Sequence, residues 1–293
     1  MRRRTLFAGL LLPAAALAQD TRLPIVATFS VLADMAREVG GDAVTVVSLV
    51  PAGGDAHSFQ PRPGDLRALR DARVVVENGL GLEGWMTRLV SASGFAGTRI
   101  TAAGAVPSRT VHEGSRTVRD PHVWQDPRRA VLMVEAIANG LAEADPVRAA
   151  VYRARAAAYA ARIEAADREI EQAMADIPAE RRRVITSHDA FGYYGDRYGI
   201  EFRAVQGVST VAEPSAREFA ALAAQVKREG IRAVFVESMA DPRLAEALAR
   251  ESGARVGDRV YSDSLSAPDG PAATYLAMLR HNTALFAAAM RPE

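Results

Sequence analysis

The sequence has 293 residues, with 36 basic and 35 acidic side chains and a formal net charge of +1. This balance, without a basic patch that contains aromatic residues, argues against a nucleic-acid-binding protein. Hydrophobic residues make up 49% of the chain, enough to bury a large core in one domain or in two lobes. Because the chain has no cysteine, a bound metal must be held by nitrogen and oxygen ligands.

The first residues have the composition of an export signal. Residues 1–4 (MRRR) are basic, residues 6–17 are apolar but too short to span a membrane, and the ALA motif at residues 16–18 fits a cleavage site. We predict that residues 1–19 are a cleaved signal peptide and that the mature protein is soluble and periplasmic. No cysteine follows the apolar segment, so we also predict that the protein carries no lipid anchor.

Strands alternate with helices through the first half, as in βαβ units with a parallel sheet. His57 lies in a loop rich in glycine and proline after the second strand. His122 lies between two Asp-Pro dipeptides, whose prolines restrict the backbone and present the imidazole on a stiff turn. We predict strands at residues 24–28, 44–50 and 73–77, helices at 31–39, 63–71, 82–91 and 128–144, and an irregular surface loop at 105–119.

Residues 79–84 (GLGLEG) match the G-x-G-x-x-G pattern of dinucleotide-binding turns. Such a site also needs an acidic residue about 20 positions later to bind the ribose. No acidic residue occurs from Trp85 to His112. We therefore interpret the glycines as a tight turn between a strand and a helix.

Residues 146–176 are rich in alanine, arginine and glutamate, with apolar residues at helical spacing. A helix of this length would be ~45 Å long, more than one small lobe needs. The prediction is an α/β fold of two Rossmann-like lobes with mostly parallel sheets, residues 20–145 and 177–293, joined by this one long α-helix. The alternative is an ordinary amphipathic helix on one larger domain.

The second half repeats the alternation of strands and helices. Residues 184–200 (VITSHDAFGYYGDRYGI) place His188 at the carboxyl end of a strand, where ligands bind in open α/β sheets. A structural alternative is that Ser187 or Asp189 caps the following helix and His188 is a polar residue of the junction. Asp263 follows the last strand. We predict strands at residues 183–186, 201–205, 233–236 and 255–261, and helices at 190–198, 215–229, 242–252 and 271–289.

His57, His122, His188 and Asp263 lie far apart in the sequence, so the fold would have to assemble them into a site. Three neutral imidazoles and one carboxylate satisfy a tetrahedral zinc ion. Four protein ligands leave no open position for an activated water, which favours metal carriage over catalysis. We therefore predict a protein that is not an enzyme.

Two other classes of protein remain as alternatives. A secreted zinc hydrolase would need a base such as Glu213 or Glu237, and no H-E-x-x-H, G-x-S-x-G or S-x-x-K motif supports it. A surface adhesion module with an incidental metal has no support beyond the export signal.

The chain resembles the zinc- and manganese-binding solute receptors of ABC importers, which are bilobal proteins with a rigid linking helix. The resemblance implies that the four residues above are the metal ligands and that the ion lies between the lobes. It also implies delivery to a permease in the inner membrane. The motifs that carry it are GGDAHSFQPRPGDL (53–66), NGLGLEGW (78–85), DPHVWQDP (120–127), TSHDAFGYY (186–194), AEPSAREFAAL (212–222), FVES (235–238) and YSDSLSAPDGPAATYLAMLRHN (261–282).

The ligand set favours zinc over manganese, because manganese prefers additional carboxylates. In the resembling manganese receptors the position of His188 is often a glutamate, and a manganese or dual receptor remains the alternative. Asp126 and Glu237 are predicted to orient the imidazoles. We expect a monomer, with a periplasmic metal chaperone as an open further partner. The remaining expectations are a solvent role for His112, a structural role for His281, and packing around the site for Trp124 and Tyr193.

Overall fold

A computed structural model describes residues 22–113 and 116–291 of the chain. Two parallel four-stranded sheets form its framework, with strand orders β2-β1-β3-β4 and β8-β7-β9-β10. In the first sheet β1 lies between β2 and β3, and in the second sheet β7 lies between β8 and β9. The strands are β1 (Leu23–Phe29), β2 (Val44–Val50), β3 (Val74–Glu77), β4 (Thr98–Thr101), β5 (Thr110–Glu113), β6 (Arg116–Arg119), β7 (Arg183–His188), β8 (Glu201–Gln206), β9 (Ala233–Val234) and β10 (Arg255–Val256).

Nine α-helices in the described ranges cover the sheets and connect their strands. Several begin with the chemistry that helix starts require, because side-chain oxygens accept the first free amides. Asp241 accepts a hydrogen bond from Arg243 N, and Ser215 forms a capping box with Glu218. The helices are α1 (Ser30–Gly40), α2 (Pro63–Asp71), α3 (Met86–Ser93), α4 (Pro127–Ala144), α5 (Ala149–Ala175), α6 (Gly192–Tyr198), α7 (Ala216–Glu229), α8 (Pro242–Ser252) and α9 (Tyr275–Met290).

Helix α5 is the predicted connecting helix, and its 27 residues give it a length of ~40 Å. It packs on α1 and α4 from the first half of the chain and on α9 from the second. Its buried face includes Tyr152, Tyr159, Ile163 and Ile170. The largest hydrophobic core therefore continues from one half into the other, which makes the connection stiff. These features confirm the predicted α/β class with parallel sheets.

Several predicted elements differ from those observed. The predicted irregular loop at residues 105–119 contains the antiparallel hairpin β5–β6, because its alternating β-branched and polar residues suit a ribbon exposed to solvent. Strand β4 was missed because Ile100 is its one buried residue, which leaves no apolar run. The strand predicted at 255–261 is reduced to β10 and an isolated bridge between Glu237 and Val260.

Two predicted helices begin four residues later than expected. Helix α3 starts at Met86, because residues 79–85 form turns. Helix α9 starts at Tyr275, where the Thr274 hydroxyl accepts a hydrogen bond from Ala277 N. The predicted signal peptide, residues 1–19, lies outside the described residues. Within residues 22–113 and 116–291, no helix is both long and apolar enough to cross a membrane.

Candidate metal centre

Three histidines and one aspartate converge where the two halves of the chain meet. One potential ligand atom from each of His57, His122, His188 and Asp263 lies within 4.8 Å of the others. The Nε2 atom of His122 is 3.2 Å from that of His57 and 3.3 Å from that of His188. Asp263 Oδ2 is 3.1 Å from His57 Nε2 and 3.2 Å from His188 Nε2. The fold therefore brings together all four residues that the sequence predicts as ligands.

Each of these side chains is placed by a different local structure. His57 lies in the loop after β2, and His188 is the last residue of β7. His122 follows the antiparallel hairpin β5–β6, in the segment that the sequence predicted as an irregular loop and a stiff turn. The alternative in which Ser187 or Asp189 caps α6 is not found, because Phe191 occupies the N-cap without a side-chain hydrogen bond.

Two buried carboxylates hold the imidazoles in place. Asp120 Oδ1 accepts a hydrogen bond from His122 N at 3.0 Å and lies 2.8 Å from His122 Nδ1. Glu237 accepts from His188 N at 2.8 Å, and its other oxygen lies 2.6 Å from His188 Nδ1. In a neutral imidazole of His122 or His188, a proton on Nδ1 would face a carboxylate and would leave the lone pair of Nε2 directed to the centre.

The sequence correctly predicts Glu237 as an orienting residue but assigns Asp126 the wrong role. Asp126 is the N-cap of α4, where it accepts a hydrogen bond from Arg128 N at 2.9 Å. The residue that was missed is Asp120. The signal for it was the spacing Asp-x-His, because an Asp side chain readily accepts the amide two residues later. The same spacing recurs at Asp55 and His57.

The electrostatics of the centre call for a cation. Asp263 is fully buried, and neither of its oxygens accepts a hydrogen bond of good geometry from the described residues. Burial alone would raise the pKa of Asp263, but His122 and His188 lower it well below its usual value. Burial would lower the pKa of His122, but Asp263 and Asp120 outweigh it and raise that pKa to about 9. Three imidazole nitrogens and a carboxylate are a donor set that a divalent ion accepts.

Four other residues from the sequence analysis have clear positions. Trp124 and Tyr193 contact residues of the centre, whereas His112 and His281 make contacts elsewhere. Trp124 donates its indole N–H to Ser262 O at 2.9 Å, and its ring packs against His122. The Tyr193 hydroxyl donates to Asp120 O at 2.8 Å. His112 is exposed on the β5–β6 hairpin, 3.1 Å from Thr117, and His281 Nε2 lies 2.9 Å from Arg259 O.

The GLGLEG segment is a turn closed by its own carboxylate. Glu83 accepts hydrogen bonds from Asn78 N and Thr28 Oγ1, both at 2.7 Å, and from Gly79 N at 3.1 Å. Leu80 has a φ of 57°, which suits a tight turn. In a dinucleotide site, amides of this kind would bind phosphate. Here the Glu83 carboxylate accepts these amides in place of a phosphate.

Comparison with known proteins identifies the family. The sequence profile described as "ZnuA: Zinc-uptake complex component A periplasmic" matches residues 25–289. The chain belongs to this family. The family assignment confirms the resemblance to metal receptors of ABC importers, and the ZnuA family is one of metal-binding transport receptors.

Relatives of this ZnuA-family chain bind different metals according to their names. The manganese-binding lipoprotein MntA of Bacillus subtilis is 32% identical over 269 residues, which cover 90% of this chain and 88% of the relative. The zinc-binding protein TroA of Treponema pallidum is 30% identical over 283 residues, which cover 93% and 90%. The solved structure of periplasmic zinc-binding TroA matches with a TM-score of 0.88 and 28% identity, over 92% of this chain and 100% of that one.

The comparison also corrects the predicted localisation. MntA and the metal ABC transporter substrate-binding lipoprotein SloC of Streptococcus mutans, 27% identical over 270 residues, are both named as lipoproteins. SloC matches 90% of this chain and 88% of its own length. The names of these relatives contradict the prediction that this protein carries no lipid anchor. That prediction rested on an absent cysteine in a segment outside the described residues, and such an absence does not decide how a receptor is held.

Proposed function

We propose that this protein is a receptor that binds zinc and delivers it to the membrane permease of an ABC importer. The observation that carries the proposal is the buried carboxylate of Asp263, which receives no hydrogen bond of good geometry from the described residues and faces three imidazole nitrogens. The proposed ligands are His57, His122, His188 and Asp263. Zinc is the cargo in this proposal, and membership of the ZnuA family supports its transport.

Zinc is favoured over manganese by the donor set. Imidazole nitrogen suits zinc, whereas manganese prefers more oxygen ligands. The relatives include both a zinc-binding and a manganese-binding protein, so manganese is the alternative cargo. We propose that all four ligands come from one chain and that the receptor acts as a monomer.

The proposed organisation has the ion between two lobes. The N-terminal lobe comprises residues 20–145, the linking helix residues 146–176, and the C-terminal lobe residues 177–293. His57 and His122 come from the first lobe, and His188 and Asp263 from the second. A change in the relative position of the lobes would therefore alter the ligand set directly.

Metal analysis of the protein purified from its native cells tests the function. We expect one zinc ion per chain, and a His122→Ala variant should lose it. The matched control is His112→Ala, which removes an exposed histidine on the hairpin and should retain the ion. Manganese in place of zinc would support the alternative cargo. A chain without any bound metal, or one unaffected by His122→Ala, would contradict the proposal.

A further inference from the structure

One of the four proposed ligands is more accessible than the others. His122, His188 and Asp263 are fully buried, whereas His57 is partly buried and lines a groove of about 1240 Å³. Strand β8 and the β5–β6 hairpin form walls of this groove. Of the four proposed ligands, His57 is the one that lines this groove, so movement of the His57 loop would open the centre towards the groove.

Asp55 holds the His57 loop through both of its carboxylate oxygens. Oδ1 accepts a hydrogen bond from His57 N at 2.8 Å and so fixes the backbone at the ligand. Oδ2 accepts hydrogen bonds from two hydroxyls, each at 2.7 Å, one from Ser58 and one from Thr210. The two hydroxyl bonds are alike in acceptor and length but differ in origin. Ser58 belongs to the same loop, whereas Thr210 belongs to the second half of the chain.

Thr210 thus ties the His57 loop to the opposite side of the groove. It lies after β8, between the groove-lining residues Ser209 and Val211. If the two halves separate, the Thr210–Asp55 bond must break, whereas the Ser58–Asp55 bond can persist. The amide of Gly53 gives the loop a second link to the other half, through Ser264 Oγ at 2.6 Å. The loop should therefore remain folded, but less firmly closed, when the Thr210 bond is removed.

We propose that Thr210 is a positioning residue that slows metal release by holding Asp55, and through it His57, in the closed arrangement. The inference rests on the proposed metal-binding function. A hydrogen bond to a charged acceptor stabilises the closed arrangement, and its loss should raise the dissociation rate roughly tenfold. The association rate should change little, because the four ligands themselves are intact.

The experiment compares dissociation of zinc from the loaded full-length protein after rapid mixing with excess chelator. Thr210→Val removes the hydroxyl at nearly constant volume and should release zinc roughly tenfold faster. Thr210→Ser keeps a hydroxyl and should restore a rate close to that of the wild type. Ser58→Ala removes the bond from within the loop and should have a smaller effect than Thr210→Val. The matched control is Thr45→Val, which makes the same substitution at an exposed threonine of β2 and should leave the rate unchanged.

Comparison of the Thr210 and Ser58 variants distinguishes a link between the two halves of the chain from local stiffness of the His57 loop. The absorption spectrum of bound Co²⁺ should be the same in Thr210→Val and wild type, because the ligands are retained. Should Thr210→Val fold poorly, Thr210→Ala provides the same test. Wild-type release rates in Thr210→Val and Thr210→Ala, or an effect of Ser58→Ala equal to that of Thr210→Val, would overturn the proposal. A wild-type protein that binds no zinc would instead reject the underlying function.

Discussion

At the scale of single residues, buried charge determines what the side chains of the metal centre can do. Asp120 and Glu237 each face the Nδ1 atom of an imidazole, while Asp263 faces the Nε2 side. A buried carboxylate is costly unless it is paired, so the three acidic groups need the histidines or a cation. Of the two aspartates in the DPHVWQDP motif, Asp120 pairs with an imidazole of the centre, whereas Asp126 caps a helix. Substitution of the two should therefore have different effects.

The first prediction compares those two aspartates. Asp120→Ala removes the carboxylate that orients His122 and should weaken zinc binding roughly 10- to 100-fold. Asp126→Ala removes the cap of α4 and should cost about 1 kcal/mol of stability without a comparable loss of affinity. Zinc titration and thermal unfolding of both variants measure the two effects. Equal losses of affinity would contradict the assigned roles.

The second prediction concerns the choice of metal at His188. A glutamate at this position adds an oxygen ligand that suits manganese, but it would face the buried Glu237 carboxylate. His188→Glu alone should therefore lose affinity for both ions. The double variant His188→Glu with Glu237→Gln should recover manganese binding in preference to zinc. Competition binding of the two ions tests this, and unchanged zinc preference in the double variant would refute the account of selectivity.

At the scale of secondary-structure elements, α1 and α9 are joined by a buried acid. Asp34 in α1 accepts a hydrogen bond from Tyr275 N, the first amide of α9, at 2.9 Å. An acidic group suits the N-terminus of a helix. Burial nevertheless raises the pKa of Asp34 to about 6, and the Tyr275 amide offsets this only in part. The negative charge of Asp34 is therefore a net cost to folding at neutral pH.

The third prediction follows from that cost. Because the pKa of Asp34 is higher in the folded state than its ordinary 3.8, the contribution of Asp34 to stability should fall as the pH rises from about 4 to 6. Asp34→Asn keeps an oxygen that can accept the Tyr275 amide and should stabilise the protein by about 2 kcal/mol at pH 7.5. The gain should shrink towards pH 4. Denaturant unfolding across this pH range measures it, with Asp42→Asn as an exposed control. A variant no more stable than wild type at pH 7.5 would contradict the prediction.

At the scale of the whole molecule, the proposed ligands come from both halves of the chain. His57 and His122 precede α5, whereas His188 and Asp263 follow it. Binding of one ion would therefore stabilise the arrangement of the halves as well as the centre. Hydrogen bonds between the halves add to this stabilisation. Trp124 Nε1 and Gln125 Nε2 both donate to the carbonyl of Ser262.

The fourth prediction is a gain in stability on zinc binding. At a free zinc concentration of 100 times Kd, binding should add about 2.7 kcal/mol to the free energy of unfolding. This corresponds to a rise in Tm of roughly 5 to 10 °C. Thermal scans with zinc and with chelator measure the rise. Asp263→Ala, compared with its own metal-free form, should show no such rise, and an equal rise in that variant would exclude Asp263 as a ligand.

The sequence alone determined the elements with strong local signals and the identity of the four candidate ligands. The Pro- and Asp-marked helix starts and the long alanine-rich helix were readable because their chemistry is local. The family motifs supplied His57, His122, His188 and Asp263. Tertiary structure decided that Asp120, rather than Asp126, lies against the imidazole of His122, that Asp126 caps a helix, and that Thr210 reaches Asp55. These contacts join distant parts of the chain or depend on side-chain direction, and neither is specified by a local sequence pattern.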